Sequence, residues 1–282
     1  MKIIDCFPYN GEAIALFRLA YLWDVVDEFI MVEAAETHAG EKKSDLYLDQ
    51  NALLLQPFSQ KITRLVIERF PEPTEKELDD LANRPYVNNP QVWFREAYQR
   101  NFPQNYLRQM PNEFDWIMMV CDADEIPRRE GVKNMPKHYD VFVDPHKMEM
   151  LYFYYSSAWI KPAKWYGAYV MSNQGFGKRT LDDMRVDREC SKFIFDGGWH
   201  LSYFMTDAEI QRKILSMAHT EYNTEEIRSL EWIRACQKSG LDLYHRGGQE
   251  NCSKYFGIDL PKGLREWEQA HGVRHKSALN FF

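Results

Sequence analysis

Three carboxylates within four positions form the strongest chemical signal in this sequence of 282 residues. Asp122, Asp124 and Glu125 follow directly on an apolar run at 116–121, and Pro127 closes the segment. Carboxylates this close together repel one another unless a cation or hydrogen-bond donors hold them. A hard divalent ion with oxygen ligands, Mn²⁺ or Mg²⁺, is the simplest partner. The pattern therefore predicts a metal site, and a solvated acidic turn is the alternative.

The apolar run before the acids predicts the strand that positions them. Residues 116–121 have the length and composition of a strand that is buried on both faces of a parallel or mixed sheet. Asp122 and Asp124 then stand at the carboxyl end of this strand, which is the usual ligand edge of an open α/β sheet. An Asp-x-Asp at such an edge commonly holds the metal ion of a nucleotide-sugar diphosphate.

The first part of the chain predicts two neighbouring strands. Apolar segments at 2–6 and 29–33 flank a helical stripe at 12–23, and the links between them are short. This order favours a βαβ unit with parallel strands. We therefore expect Asp5 and Glu33 to lie at the same carboxyl edge as Asp122.

The remaining patterns predict an α/β fold in which a mixed sheet is flanked by helices. The charged, proline-rich stretch at 71–90 is interpreted as a surface excursion. Further strands are predicted at 62–67, 141–143, 147–155, 169–171, 193–195 and 201–204, and further helices at 49–58, 91–108, 206–219 and 223–240.

Composition excludes several classes of protein. Hydrophobic residues make up 45% of the chain, which is enough for a full core and argues against disorder. The net charge of −7 argues against a broad nucleic-acid surface. The five cysteines are scattered, without a Cys-x-x-Cys, which favours reduced thiols and a cytoplasmic location over a disulfide scaffold. We find neither a signal peptide nor an apolar run near the ~20 residues of a membrane span.

Several stretches, in order along the chain, resemble glycosyltransferase family 17. They are Asp5-Cys-Phe-Pro8, Asp24-Val-Val-Asp27, Val32-Glu33, Thr37-His38-x-Gly40, Trp93-Phe-Arg-Glu96-Ala-Tyr-Gln99-Arg100, Asp122-Ala-Asp-Glu-Ile-Pro127, Gly198-Trp-His200-Leu-Ser-Tyr-Phe204 and His219-Thr-Glu-Tyr-Asn223. The resemblance implies a GT-A-like, Rossmann-like domain and an inverting transfer of a sugar. Its best-known members take N-acetylglucosamine from UDP-GlcNAc and attach it to a glycan. The expected partners are therefore a UDP-sugar donor and a glycan acceptor.

Such a transfer needs the charge of the diphosphate leaving group to be neutralised. Asp124 is predicted to hold the metal ion, with Asp122 on the metal or the ribose. His200, beside two glycines in a matching motif, is the predicted third ligand, and a packed strand histidine is the alternative. His219 is the second candidate, although it could simply close its helix favourably. A histidine ligand would favour Mn²⁺ over Mg²⁺.

The transfer also needs a base for the proton of the acceptor hydroxyl. Asp196 is the predicted base, because it precedes Gly197-Gly198, where a loop could present it to the acceptor. Glu221 and Glu125 are its rivals. For Glu125 a supporting position beside the metal or a bond to a sugar hydroxyl is the alternative.

Other residues are predicted to bind the two substrates. Arg100, Lys178 and Arg179 are candidates for clamping the diphosphate, and a structural pair or a solvated basic turn is the alternative. Asp5 and Glu33 are candidates for binding uridine or ribose, and helix capping is the alternative. The aromatic run at 152–155 and Trp165 could stack on the acceptor, although alternate residues of a strand must face the core.

The domain organisation follows from this assignment. A single domain, 1–282, is predicted, with a nucleotide-sugar-binding half at 1–130 and an acceptor-side α+β half at 131–282. Two other functions also fit clustered acids on this fold. One is a metal-dependent nucleotidyltransferase or phosphohydrolase, and the other is a non-catalytic carbohydrate-binding protein.

Overall fold

The structure is a computed structural model that describes residues 1–111, 115–187 and 189–273. Its first half forms the parallel part of a mixed sheet, in the order β4-β1-β2-β3. The strands are β1 (Lys2–Pro8), β2 (Glu28–Ala34), β3 (Ile62–Ile67) and β4 (Trp116–Val120). The predicted βαβ unit is confirmed, since β1 and β2 are parallel and a helix joins them.

The rest of the chain extends the same sheet with mostly antiparallel strands. They are β5 (Glu125–Pro127), β6 (His146–Tyr154), β7 (Ser156–Ile160), β8 (Tyr169–Ser172), β9 (Phe193–Ser202) and β10 (Ser253–Lys254). β8 pairs with β4, and β6 pairs with β8. β9 then runs parallel to β6 and antiparallel to β5. In this last pairing Glu125 lies opposite His200, so β9 returns the chain to the acidic segment.

Helices flank the sheet, as the sequence predicts. They are α1 (Ile14–Leu22), α2 (Tyr47–Gln50), α3 (Ala52–Leu55), α4 (Glu75–Ala82), α5 (Pro90–Asn101), α6 (Pro103–Arg108), α7 (Arg129–Asn134), α8 (Leu181–Val186), α9 (Asp207–Ser216), α10 (Glu225–Arg228), α11 (Leu230–Ser239) and α12 (Leu264–Ala270). Short 3₁₀ helices occur at Gln56–Lys61, Met135–Val143, Thr220–Tyr222 and Gly248–Glu250. Within the described residues, none of the helices combines the length and the hydropathy needed to cross a membrane.

Local signals explain where the observed helices differ from the predicted ones. The helix predicted at 91–108 is two helices, because Pro103 begins α6 and cannot continue the hydrogen bonds of α5. The excursion at 71–90 contains α4, which begins with a capping box between Thr74 and Glu77. The helix predicted at 223–240 is divided at Ser229, whose side chain caps α11. The strand predicted at 141–143 is wrong, since these residues end a 3₁₀ helix.

The core lies on both faces of the sheet, and β4 shows how the sequence arranges it. Ile117 and Met119 pack into the cluster on one face, whereas Trp116, Met118 and Val120 pack into the cluster on the other. This alternation follows from the two-residue period of a strand. It confirms the prediction of a strand buried on both faces, and it fixes the register that carries the following acids to the edge.

The sheet contains strands from both predicted halves of the domain. Five of its strands, β6 to β10, come from the region after residue 130. The division into a donor half and an acceptor half stays a prediction. Residues 274–282 of the predicted domain lie outside the described ranges.

Candidate active site

A cleft of about 460 Å³ opens where the parallel strands end. Its walls come from the carboxyl ends of β1, β2 and β4, from α5 and α8 on one side, and from β9 and α9 on another. The structure brings five of the predicted ionisable site residues to this cleft, namely Arg100, Asp122, Asp124, His200 and His219, and the aromatic candidates Tyr152, Tyr154 and Trp165 also line it.

Asp122 is held by two arginines. Its Oδ1 accepts a hydrogen bond of 2.8 Å from Nη1 of Arg100, and its Oδ2 accepts one from Nη2 of Arg185. Burial on its own would raise the pKa of Asp122, but the charges of Arg185 and Arg100 outweigh it and lower the pKa to about 2. The Asp122 side chain is therefore an anion whose two oxygens both have cationic partners.

Glu125 is fully buried and serves the same arginine. Arg185 donates from Nη1 to Oε2 at 2.9 Å and from Nη2 to Oε1 at 2.8 Å. The Trp165 indole also donates to Oε1, and the backbone N–H of Asp122 donates to Oε2 at 2.6 Å. A Cβ on Gly167 would come within 2.5 Å of Oε1, so this packing requires a glycine there. Glu125 has no accessible oxygen for an acceptor proton, and the geometry supports its predicted alternative, a supporting position.

Asp124 faces two nitrogen groups. Its Oδ1 lies 3.4 Å from Nε2 of His200, and its Oδ2 accepts a hydrogen bond of 3.1 Å from Nζ of Lys213. Burial alone would raise the pKa of Asp124, but Lys213 and His200 together outweigh burial and hold the pKa well below its usual range, so the carboxylate stays ionised. The pairing of β5 with β9 sets this arrangement, since the backbone N–H of Leu201 donates to the carbonyl of Asp124 at 2.7 Å.

His200 packs against two aromatic rings that also contact each other. Tyr152 stacks on His200 with ring centroids 4.7 Å apart, and the tilted Trp165 ring lies 4.4 Å from His200 and 5.3 Å from Tyr152. Its buried Nδ1 has no hydrogen-bond partner among the described residues. Tyr152 and Trp165 therefore help to position His200. Both also line the cleft, and their stacking on the acceptor stays a prediction. The other aromatic residues of the run, 153–155, are almost completely buried.

The donor set of Asp124 and His200 fits a divalent ion that keeps other ligands. A carboxylate oxygen and an imidazole nitrogen 3.4 Å apart can bind the same ion, and this pair of ligand types suits Mn²⁺. The described residues contain no cluster of three or more His, Cys, Asp or Glu side chains that could hold a metal ion. Water and the oxygens of a substrate would have to supply the remaining ligands.

Two of the predicted nucleotide-binding acids face inward. Glu33 lies near the carboxyl end of β2, but Asp5 lies in the middle of β1, because the strand continues to Pro8 beyond the predicted end. Asp5 is fully buried and forms an ion pair with Arg18, whose Nε donates to Oδ2 at 2.7 Å. Glu33 accepts hydrogen bonds from the backbone N–H groups that begin α2 and pairs with Lys43 at 2.9 Å. For Glu33 the alternative that the sequence left open, helix capping, describes the observed contacts.

Other predicted residues lie outside the cleft. Asp196 is 71% exposed, has a φ of +55°, and pairs with Arg128 at 2.5 Å. It does not line the cleft, so its predicted role as base has no geometric support. Lys178 and Arg179 also lie outside the lining, and Arg179 pairs with Asp187.

Glu221 reaches the cleft only through its neighbour. Its Oε1 lies 2.7 Å from Nδ1 of His219, and its Oε2 accepts from the Asn88 amide. The His219 ring lines the cleft and forms a T-shaped contact with the Trp93 ring, with the ring centroids 4.8 Å apart. The prediction of His219 as a metal ligand stays a prediction, since neither Asp122 nor Asp124 lies within ion-pair distance of it among the described contacts.

The sequence analysis gave no role to several charged residues of the cleft, among them Glu12, Arg185 and Lys213. Glu12 follows the tight turn at Gly11, which has a φ of +82° and where a Cβ would lie 2.6 Å from the Tyr47 ring. The Glu12 Oε2 accepts a hydrogen bond of 2.7 Å from the backbone N–H of Asn10. Burial raises the pKa of Glu12, although Lys213 opposes this effect. The capping box that begins α9 is visible in the sequence, but nothing local shows which residue of α9 faces the acids.

The fold and the cleft define an α/β protein with a charge-paired polar site at the carboxyl edge of a mixed sheet. The sequence pattern of glycosyltransferase family 17 matches residues 2–246. The chain therefore belongs to glycosyltransferase family 17, and the resemblance found in the sequence is confirmed.

Three relatives carry the name Beta-1,4-mannosyl-glycoprotein 4-beta-N-acetylglucosaminyltransferase, from Rattus norvegicus, Homo sapiens and Mus musculus. Each is 24% identical to this chain over 270 residues, which covers 85% of the chain and 48% of the relative. The chain thus spans about half the length of these relatives.

Proposed function

We propose that this chain is a metal-dependent, inverting glycosyltransferase with a GT-A-type domain. Its donor is a UDP-sugar, UDP-N-acetylglucosamine in the first place, and its acceptor is a hydroxyl group of a glycan. The observation that carries the proposal is the cleft at the strand ends, where Asp124 and His200 lie 3.4 Å apart among several cations. The family membership and the names of the relatives support the choice of reaction and of donor sugar.

Three cations can stabilise the leaving diphosphate. Arg100, Arg185 and Lys213 line the cleft, and each has a carboxylate of the acidic segment as its partner. Fixed donors that face a developing negative charge lower the barrier because they need little reorganisation. Asp124 and His200 would hold the divalent ion, Mn²⁺ or Mg²⁺, which supplies further charge neutralisation at the diphosphate.

The nucleoside has polar partners at the end of β2. His38 and Gln99 line the cleft there, with Nε2 of His38 2.6 Å from Oε1 of Gln99. The Gln99 side-chain amide in turn donates a hydrogen bond of 2.7 Å to the carbonyl of Val32, and this bond fixes the orientation of the Gln99 amide. These residues take the place that the sequence assigned to Asp5 and Glu33, whose carboxylates are bound within the protein.

Among the carboxylates that line the cleft, we assign the role of base to Glu12. It lines the cleft, and no ion pair within 4.0 Å engages it among the described residues, whereas Asp122 and Asp124 are both paired. Its pKa is raised by burial, which makes the carboxylate a stronger proton acceptor than an ordinary glutamate. In the proposed reaction Glu12 takes the proton of the acceptor hydroxyl as the bond to the sugar forms.

Thermal unfolding in the presence of UDP-GlcNAc, with and without Mn²⁺, tests the proposal. We expect stabilisation by the donor that depends on the metal ion, because both bind the folded state. Asp124→Asn should abolish this stabilisation, and the exposed Asp196→Asn serves as the matched control that should retain it. No response to any nucleotide sugar would overturn the proposal. Release of UMP or inorganic phosphate in place of UDP would favour a nucleotidyltransferase or a phosphohydrolase.

A further inference from the structure

Lys213 differs from the other cations at the acidic segment in the number of its partners. Among the described contacts Asp124 is the single carboxylate within 4.0 Å of its ammonium, and the side chain is 26% exposed. Arg100 contacts Glu96 as well as Asp122, and Arg185 contacts Glu125 as well as Asp122. The two arginines are therefore held by several bonds, whereas Lys213 depends on one carboxylate oxygen.

The chemistry of the side chains makes this difference meaningful. A guanidinium binds carboxylates through a rigid fork, whereas an ammonium is a point charge on a flexible four-carbon stem. To exchange Asp124 for another anion, Lys213 therefore has to break one hydrogen bond and rotate its side chain. Lys213 extends from α9 into the cleft, with its ammonium 5.0 Å from the centre of the Tyr203 ring. A cation–π contact of this kind can support the ammonium during such a movement.

The position of Lys213 has an electrostatic consequence. Its ammonium occupies Oδ2 of the same carboxylate whose Oδ1 faces His200. A second cation at Asp124 is repelled by the ammonium at short range, and burial reduces the screening of that repulsion. A metal ion and Lys213 therefore compete for Asp124, unless an added anion compensates both charges.

We propose that Lys213 is the resident counter-ion of Asp124 and moves onto the diphosphate of the donor when a metal ion binds. The proposal rests on the function proposed above. In this scheme the nucleotide diphosphate supplies the negative charge that allows Lys213 and the metal ion to coexist. Metal binding and donor binding are then coupled, and each is weak without the other.

Mn²⁺ binding, measured from the electron paramagnetic resonance signal of the free ion, tests the proposal with and without UDP. The wild type should bind Mn²⁺ weakly alone and at least about tenfold more tightly with UDP, a coupling typical of linked sites. Compared with the wild type, Lys213→Met should bind Mn²⁺ more tightly in the absence of UDP. The same variant should bind UDP more weakly at saturating Mn²⁺. Lys213→Arg, which keeps the charge, should retain weak binding of Mn²⁺ alone.

Lys192→Met is the matched control, because Lys192 pairs with Asp144 at 2.5 Å on the surface and does not line the cleft. It should behave as the wild type does. Unchanged or weaker Mn²⁺ binding by Lys213→Met, in a protein whose wild type binds Mn²⁺ with UDP, would overturn this inference alone. If the wild type bound neither Mn²⁺ nor UDP, the proposed function would fall together with it.

Discussion

The buried pair of Glu125 and Arg185 offers the sharpest test of the site's architecture. The Glu125 side chain has no exposed surface and accepts four hydrogen bonds. Arg185 donates two of these four, at 2.8 and 2.9 Å. Removing one partner of such a pair leaves an uncompensated buried charge, which typically costs about 3–5 kcal/mol. Arg185→Met should therefore lower the free energy of unfolding by about that amount. Each kcal/mol lost should lower Tm by about 2–4 °C.

A double-mutant cycle separates the pair from its surroundings. Glu125→Gln should also destabilise the protein, because its amide group places a donor where Arg185 and the backbone N–H of Asp122 already donate. The double variant should lose less than the sum of the single variants, with a coupling free energy of about 2 kcal/mol. Urea unfolding at neutral pH, followed by tryptophan fluorescence, measures all four proteins.

The exposed pair of Arg64 and Asp49 provides the reference. Its side chains are 43% and 60% exposed, so the same cycle there should give about 0–1 kcal/mol. Additive losses at Glu125 and Arg185, within about 0.5 kcal/mol, would refute the assignment of Glu125 as the buried counter-ion of Arg185. The argument that Glu125 supports the site and does not act as the base would then lose its main observation.

Three further predictions concern other carboxylates. Glu12→Gln should keep metal-dependent donor binding and lower turnover about 10²–10⁴-fold, and a fully active variant would exclude Glu12 as the base. Asp196→Asn should retain turnover because Asp196 is exposed outside the cleft, and loss of transfer would restore it as a candidate. Burial would raise the pKa of Asp242, but hydrogen bonds from Arg246 lower it to about 2, below the unfolded value. This shift contributes about 2 kcal/mol above pH 5 that is lost as the pH falls to 2. The stability gap between wild type and Asp242→Asn should shrink over this range, and a constant gap would contradict the reasoning.

The sequence by itself determined the features that depend on neighbouring residues. The alternation of apolar residues at 116–121 predicts a buried strand, and the acids that follow must then stand at its carboxyl end. The capping box that begins α9 and the glycine that ends α11 are equally local, and both are observed. The family motifs also lie within short stretches, so the match over 2–246 could be anticipated.

Tertiary structure decided which charged groups meet. Arg185 reaches Asp122 from 63 positions away, and Lys213 reaches Asp124 from 89 positions away. The antiparallel pairing of β5 with β9 brings His200 to the acids, and nothing local to either strand specifies that pairing.

The same reason explains the predictions that the geometry does not support. Asp5 and Glu33 stand at the predicted strand ends, but Arg18 and Lys43 of this chain already compensate them. Asp196 precedes two glycines as the sequence shows, yet β9 carries it to the surface and pairs it with Arg128. A carboxylate's position along a strand follows from a two-residue period, whereas its charge partner depends on the packing of segments far apart in the chain. The sequence therefore predicts where the acids stand, and only the folded chain determines which of them are left to act on a substrate.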